Sequence, residues 1–406
     1  MHYKYLILGN GIAGHAAAKE IRKNDPEGSI ALIGNEGYPT YFRIKLTELI
    51  RSDIDDSLYM GKQEEYDRLK IDLFLNTEVD KVDFDKKSLK TSQDKEFNWD
   101  KLLITTGASS FVPPIPGVDK KNIMTIRSLD DLKSFKEALK KAEDVTVIGG
   151  GLLGIEAAYS IHQTGKKVHI IETFDHLLGR QLNTEEGRKV EEALKKMGMD
   201  VHCGKNTAHF LGQDQVSGIE LEDGSQIKSE LVLLSTGVRP NLGLFKGSNL
   251  EIDRGIKVDP TMKTNLPDVY AAGDCAQFGN VVLGLWTASM ENGKIAGYNL
   301  STDGPMKSYE TPKNFTELSV GDIKVFSVGQ TGDELVVYGE DTPEYELRVF
   351  VQDCQLVGGI LSGNTKEKTK LKNAVFNHIS IDEFKKEFPN LKAWCFLFSF
   401  IHGMIS

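Results

Sequence analysis

Two stretches of the chain share one pattern: a short unbroken apolar run, a glycine-rich turn, then apolar positions at helical spacing. Residues 3 to 8 (Tyr-Lys-Tyr-Leu-Ile-Leu) run into Gly9-Asn10-Gly11-Ile12-Ala13-Gly14 and an alanine-rich segment from Ala16 to Ile21. The short run bounded by glycine predicts a buried strand, and the spacing after it predicts a helix. Residues 145 to 148 (Val-Thr-Val-Ile) lead likewise into Gly149-Gly150-Gly151-Leu152-Leu153-Gly154 and a helix-like stretch from Ile155 to Gln163, 140 residues further on. Each copy is followed by an apolar run closing in Thr-Gly, at Thr106-Gly107 and at Thr236-Gly237. Gly107 lies 98 residues after Gly9 and Gly237 lies 88 after Gly149, so what recurs is a whole folding unit, not just a turn. After Pro312 the rhythm changes: alternating runs at 323–328, 334–338, 346–351 and 355–361 predict short strands, and the spacing near 368–388 predicts helices. The expected fold class is α/β, with two Rossmann-like dinucleotide-binding domains and a small C-terminal α+β domain.

The glycine spacing has a physical reading. The first glycine (Gly9, Gly149) makes a tight turn, the second (Gly11, Gly151) lets backbone approach a pyrophosphate, and the third (Gly14, Gly154) lets helix and strand pack closely. The following helix then directs its free N–H groups and positive dipole end at the phosphates. Such a site also needs an acid at the end of the second strand for the ribose hydroxyls. The run Ser29 to Ile33 ends at Gly34-Asn35-Glu36, and the run Lys167 to Ile171 ends at Glu172, 23 residues after Gly149. Glu172 is the cleaner of the two: a solvated strand-end carboxylate is its ordinary alternative, and its spacing favours a ribose ligand. Thr173, Phe174 and Asp175 follow Glu172, so no neighbouring cation stands ready for a 2'-phosphate, and NADH is expected over NADPH.

Composition narrows the class. A chain of 406 residues exceeds one ordinary core, and 40% hydrophobic with 27% charged residues fits neither a disordered nor a membrane-embedded protein. The net charge of -10 disfavours nucleic acid as a partner. Four cysteines (Cys203, Cys275, Cys354, Cys395) form no close pair, which disfavours a disulfide scaffold, a zinc ribbon and a local iron–sulfur motif. The N-terminal run enters a strand pattern without a signal-peptide core, and a cytoplasmic location is expected. Lys366, Lys368, Lys370 and Lys372 form a basic run that reads as a docking patch for an acidic partner or, more ordinarily, as a solvated face. Residues 393–406 are conspicuously apolar yet too short to span a bilayer of ~30 Å.

The paired glycine motifs, with Val269-Tyr270-Ala271-Ala272-Gly273-Asp274, resemble the FAD-dependent pyridine nucleotide-disulfide oxidoreductase superfamily over roughly residues 1 to 310. The resemblance implies FAD at the first site and NADH at the second, with Asp274 on the flavin's ribityl chain and the segment from Trp286 against the flavin ring. It implies a discontinuous FAD domain at 1–110 and 250–310 with an NADH domain at 111–249 inserted; the patterning after Pro312 adds a C-terminal domain at 311–392, and composition an apolar tail at 393–406.

The segment Tyr38 to Glu48 is more similar to NADH-rubredoxin reductases and to the flavin portion of NADH-dependent nitrite reductase large subunits than to reductases of oxygenase-type ferredoxins. By that resemblance Arg43 approaches the FAD phosphates and Glu48 the isoalloxazine; the ordinary alternative is an Arg43–Glu48 surface pair. Glu156 matches a family position between flavin and nicotinamide, and could also serve as a dipole-stabilising acid in the first turn of its helix. No cysteine occurs between the first glycine motif and residue 60, against the disulfide-reducing branches of the family. The expected activity is electron transfer from NADH through FAD to a small carrier protein of rubredoxin or ferredoxin type, without a redox-active disulfide. Its rivals are the flavin part of nitrite reduction, an NADH oxidase, and an NADH-sensing flavoprotein of apoptosis-inducing type.

Overall fold

The computed structural model describes residues 1–394 apart from 283, 312 and 314, so all but Ala393 and Trp394 of the apolar tail lies outside the described residues. Two compact units form: Met1–Pro113, Thr125–Phe135 and Thr236–Pro312 make the first; Pro114–Met124, Lys136–Ser235 and the chain from Lys313 make the second.

In the first unit the strands Ile71–Phe74, Ile30–Ile33, His2–Leu8 and Glu96–Ile104 lie side by side in that order, all parallel. Leu6 stands opposite Ala31 on one side and Leu102 on the other. The far edge of Glu96–Ile104 is shared by Ser88–Thr91, antiparallel along its first half, and Val269–Ala271, parallel along its second. Both faces are covered, which is why Ile30–Ile33 is apolar and buried throughout instead of alternating. Tyr5 and Ile7 pack with Ala17, Ile21 and Ala296 of the helices Ile12–Asn24 and Trp286–Ser301, while Leu6 and Leu8 point to the other face among Trp99, Ile104 and Phe97.

The second unit repeats the arrangement. Its parallel sheet runs Asp200–Cys203, Lys167–Glu172, Asp144–Ile148, Leu231–Leu234 and Ile123–Met124. In both sheets, then, the strand before the glycine turn lies between its successor and the closing strand, the order of a doubly wound dinucleotide-binding fold. A three-stranded antiparallel sheet (Thr207–Leu211, Gly218–Leu221, Gln226–Lys228) covers one face, burying Ile148, Ile171 and Val232 against Phe210 and Ile219.

The second unit also holds a six-stranded antiparallel sheet ordered Phe315–Val320, Ile323–Gly329, Gln355–Gly363, Tyr345–Gln352, Val336–Asp341 and Lys392–Trp394, with helices Lys368–Phe376 and Ile381–Glu387 packed on it. Arg348 fastens this sheet to the helix Thr184–Lys196. Only 1% exposed, it pairs with Asp341 at 2.5 Å and Glu186 at 3.4 Å and lies 3.8 Å over the Trp394 ring. Among the described residues no helix is long and apolar enough to cross a membrane.

Candidate functional site

The C-terminal ends of parallel strands are where doubly wound sheets bind ligands, and the residues singled out in the first unit gather there. Gly9 has φ +125°; a Cβ on it would lie 2.1 Å from the Thr105 carbonyl oxygen, and a Cβ on Gly14 2.1 Å from the Gly9 oxygen. A Cβ built on Gly11 would meet nothing within 4 Å. The first and third glycines are thus demanded by close backbone packing, and the second has open space beside it. With Gly11 as N-cap and no side chain capping it, the helix Ile12–Asn24 leaves its first N–H groups to a ligand.

The second unit has the same cradle. Gly149 is held 2.4 Å, by the same measure, from the Ser235 oxygen and Gly154 1.9 Å from that of Gly149, and Gly151 is open. Glu172 sits at the lip, accepting the Gly150 N–H at 2.5 Å and the Phe174 N–H at 2.9 Å. A carboxylate has about four acceptor positions, so anchoring by two amides leaves room for ribose hydroxyls.

Glu36 and Asp274 are joined by two arginines. Glu36 accepts from Arg43 Nη2 and from the Tyr41 hydroxyl, both at 2.6 Å, and Arg43 also donates to the Arg127 carbonyl. Asp274 accepts from Arg127 Nη2 at 2.6 Å and from Ser289 Oγ at 2.8 Å. Arg127, which further donates to the Ala108 carbonyl at 2.9 Å, was not legible in the sequence. It belongs to no motif and reaches the site because Thr125–Phe135 folds into the first unit between two segments of the second.

The ion pair of Arg43 is therefore with Glu36, and the Arg43–Glu48 surface pair is not the arrangement found. Glu48 starts the short helical turn Glu48–Ile50 and is exposed. Thr106 and Gly107 (φ +66°) follow the closing strand of the first unit and are bracketed by Asn241. Gly237 (φ +93°) also lies in the first unit, its carbonyl accepting from Phe111 N–H at 2.8 Å. Trp286 opens its helix and stacks on Phe42, with ring centres 5.8 Å apart. Its Nε1 is buried without a hydrogen-bond partner among the described residues, a donor that a ligand acceptor would satisfy. Glu156 is half-buried in the second turn of the helix Leu152–His162, so the first-turn dipole role does not apply.

A buried chain of polar groups, also missed by the sequence reading, supports the first glycine turn. The His15 ring nitrogen and the Tyr66 hydroxyl meet at 2.8 Å, Tyr66 and Thr40 at 2.9 Å, and Thr40 donates to Asn10 Oδ1 at 2.6 Å. Burial pushes His15 down to about 4, so it is neutral at physiological pH. The described cysteines are all free. Cys275 is fully buried, its thiol donating to the Ala272 carbonyl at 3.3 Å, and burial raises it; burial likewise takes Cys203 up to about 12. Neither is poised as a thiolate. Among the described residues no His, Cys, Asp or Glu cluster could hold a metal ion.

Comparison with known proteins agrees with this geometry. Residues 3–293 match the pyridine nucleotide-disulphide oxidoreductase family, and residues 315–379 match the rubredoxin NAD+ reductase C-terminal domain. The chain is 33% identical over 394 residues to nitrite reductase [NAD(P)H] of Bacillus subtilis (strain 168), covering 95% of this chain and 49% of that protein. It is 29% identical to the assimilatory nitrate reductase electron transfer subunit of the same organism, covering 95% of this chain and 50% of that one. The chain thus spans about half the length of these two relatives. Among solved structures, NADH:rubredoxin oxidoreductase from Clostridium acetobutylicum superposes with a TM-score of 0.81 at 26% identity, covering 94% of this chain and 97% of that one.

Proposed function

Because the chain belongs to the pyridine nucleotide-disulphide oxidoreductase family, we propose that it is an NADH-dependent flavoprotein reductase that passes electrons to a small iron or iron–sulfur carrier protein of rubredoxin or ferredoxin type. The observation that carries this reading is the duplicated cradle, closed at its first and third glycines and open at the second, in a chain whose described cysteines are unpaired and buried or distant in sequence from the glycine motifs. Bound FAD supplies an acceptor for a hydride that can release electrons one at a time. What remains for the protein is binding, orientation and exclusion of water.

On this reading Gly9, Gly11 and Gly14 seat the FAD pyrophosphate, Glu36 takes the adenosine ribose, and Arg43 with Arg127 balances the phosphate charge. Asp274 accepts from the ribityl chain, and Thr106, Gly107 and Trp286 border the flavin ring. In the second unit Gly149, Gly151 and Gly154 seat NADH, with Glu172 on its ribose, while Gly237 shapes the chain's return to the first unit. Glu48 and Glu156 are assigned to the surroundings of the reacting rings, as polar groups and not as proton donors, because hydride transfer requires no protein acid.

Anaerobic rapid mixing of the NADH-reduced protein with rubredoxin, ferredoxin, nitrite and oxygen tests the proposal. Fast oxidation by an iron carrier and slow oxidation by the others is expected; no carrier oxidising the protein faster than oxygen does would refute it. A second reading, the electron-input portion of a larger nitrite-reducing assembly, is favoured by the match along half of the Bacillus subtilis nitrite reductase. It predicts transfer to a sirohaem-bearing partner instead of to free rubredoxin.

A further inference from the structure

The Thr106–Gly107 turn follows the closing strand of the first unit, and the side-chain direction at Gly107 is open: a Cβ built on it would meet nothing within 4 Å, and its φ is +66°. Hydrogen bonds fix this turn: Cys275 interacts with the Thr106 and Gly107 backbone, and Asn241 makes four bonds to residues 106–109. Asn241 donates its backbone N–H to the Gly107 carbonyl at 2.9 Å and its side-chain Nδ2 to the Thr106 carbonyl at 2.9 Å. Its carbonyl accepts the Thr106 hydroxyl at 3.1 Å, and its Oδ1 accepts the Ser109 hydroxyl at 2.6 Å. Both backbone polar groups and both side-chain polar atoms of Asn241 are committed to residues 106–109. Asn241 itself is fixed in register, since the strand Val238–Pro240 pairs antiparallel with Ala108–Ser110, Pro240 opposite Ala108.

We propose that Asn241 is a positioning residue for the flavin: it fixes the height and tilt of the Thr106–Gly107 backbone at the open edge of the first dinucleotide cleft. This rests on the reading of that cleft as the FAD site. The amide is matched to the task, because one planar group must donate to a carbonyl and accept from a hydroxyl at once. Asp lacks the donor and would set a carboxylate against the Thr106 carbonyl; Ala lacks both functions. Asn241 follows Pro240, four residues after the Thr236-Gly237 pair that closes the second repeat.

The test uses the full chain loaded with FAD. In Asn241→Ala, two side-chain bonds are lost, and the dissociation constant for FAD is expected to rise about tenfold or more. The visible absorption bands of the flavin should shift, and affinity for NAD+ should stay within about twofold of wild type. Asn241→Asp should behave like the alanine variant, and Ser109→Ala, which removes one bond and keeps Asn241, should fall between them and wild type. A purely structural role would lower thermal stability without moving the flavin spectrum or separating FAD from NAD+ affinity; that outcome overturns the proposal. Should Asn241→Ala fail to fold, Ser109→Ala and Thr106→Val, each removing one bond, decide it: unchanged spectrum and FAD affinity in both refute it. A wild-type chain that takes up no FAD brings down the underlying reading as well, whereas a loaded wild type with an indifferent Asn241→Ala brings down only this inference.

Discussion

Asp274 has one carboxylate oxygen on Arg127 and the other on Ser289, at 2.6 and 2.8 Å, and each oxygen retains capacity for a ligand hydroxyl. Asp274→Ala removes that acceptor and also takes from Arg127 the partner of its mostly buried guanidinium. FAD affinity should weaken by roughly 1.5–3 kcal/mol, the range for hydrogen bonds to charged groups. Arg127→Ala should shift it in the same direction, and fluorescence titration with FAD measures both; equal affinity in wild type and both variants contradicts the network. In the second unit Glu172→Gln keeps an acceptor but loses the charge that repels a 2'-phosphate, so the NADH over NADPH preference in kcat/KM should narrow by about tenfold, ~1.4 kcal/mol. A wild type already preferring NADPH contradicts the placement. Of these residues, Glu172 is singled out in the sequence by its place at a strand end, and Asp274 by the resemblance of Val269–Asp274 to the family motif. Arg127 and Asn241 were not, because what recruits them is the chain crossing between units, a three-dimensional fact without local spacing.

Among the elements, the repeated strand, turn and helix were legible because buried parallel strands carry no polar alternation and glycine bounds them on one side. The strands Phe315–Val320 and Lys392–Trp394 escaped notice. The first is an edge strand in which Leu318 and Val320 are the only fully buried residues, and the second is three residues long, defined by its pairing with Val336–Asp341 and not by its own composition. The helix Ile12–Asn24 carries a buried group that ties stability to pH. His15 is held neutral by burial, down to about 4 in the fold against about 6.5 in an unfolded chain. Its contribution is complete above pH 6.5 and is lost as pH falls from there towards 4, since in that window the unfolded chain binds the extra proton. Roughly 3 kcal/mol is at stake, at 1.36 kcal/mol per unit. Burial also lowers His169 and His202, which stack in the second unit beside Asp200, so they act in the same direction. Denaturant unfolding between pH 7.5 and 5 should therefore show wild type losing stability on acidification and His15→Gln losing less; parallel curves contradict a buried neutral His15. Because His15 reaches Asn10 through Tyr66 and Thr40, FAD release on acidification should be reduced in the same variant.

At the scale of the whole molecule, the proposed transfer from flavin to a carrier makes predictions about the cysteines and the lysines. Cys275 and Cys203 have thiols raised by burial, so changing all four cysteines to Ser or Ala, in a variant that folds, should preserve NADH-to-carrier turnover, and neither parent nor variant should reduce glutathione disulfide at a comparable rate. Loss of carrier reduction on one such substitution contradicts a route directly from flavin. The basic run is largely committed to its own domain: Lys368 pairs with Glu317 at 2.6 Å, Lys370 with Glu367 at 2.8 Å, and Lys372 lies 5.3 Å over the Phe315 ring. A patch so compensated adds little long-range field, while the chain as a whole carries -10. An acidic carrier approaching it meets net repulsion at distances beyond direct contact, and raising ionic strength from about 0.01 to about 0.15 M shortens the range of that repulsion from ~30 to ~8 Å. The second-order rate constant for carrier reduction should therefore stay level or rise over that interval. Replacing Lys366, Lys368, Lys370 and Lys372 by Gln takes the net charge from -10 to -14 and should make the rise with salt somewhat steeper. A rate that falls steeply with salt in wild type and becomes flat in the lysine variant would instead make this run the docking surface, with its ion pairs opening on encounter.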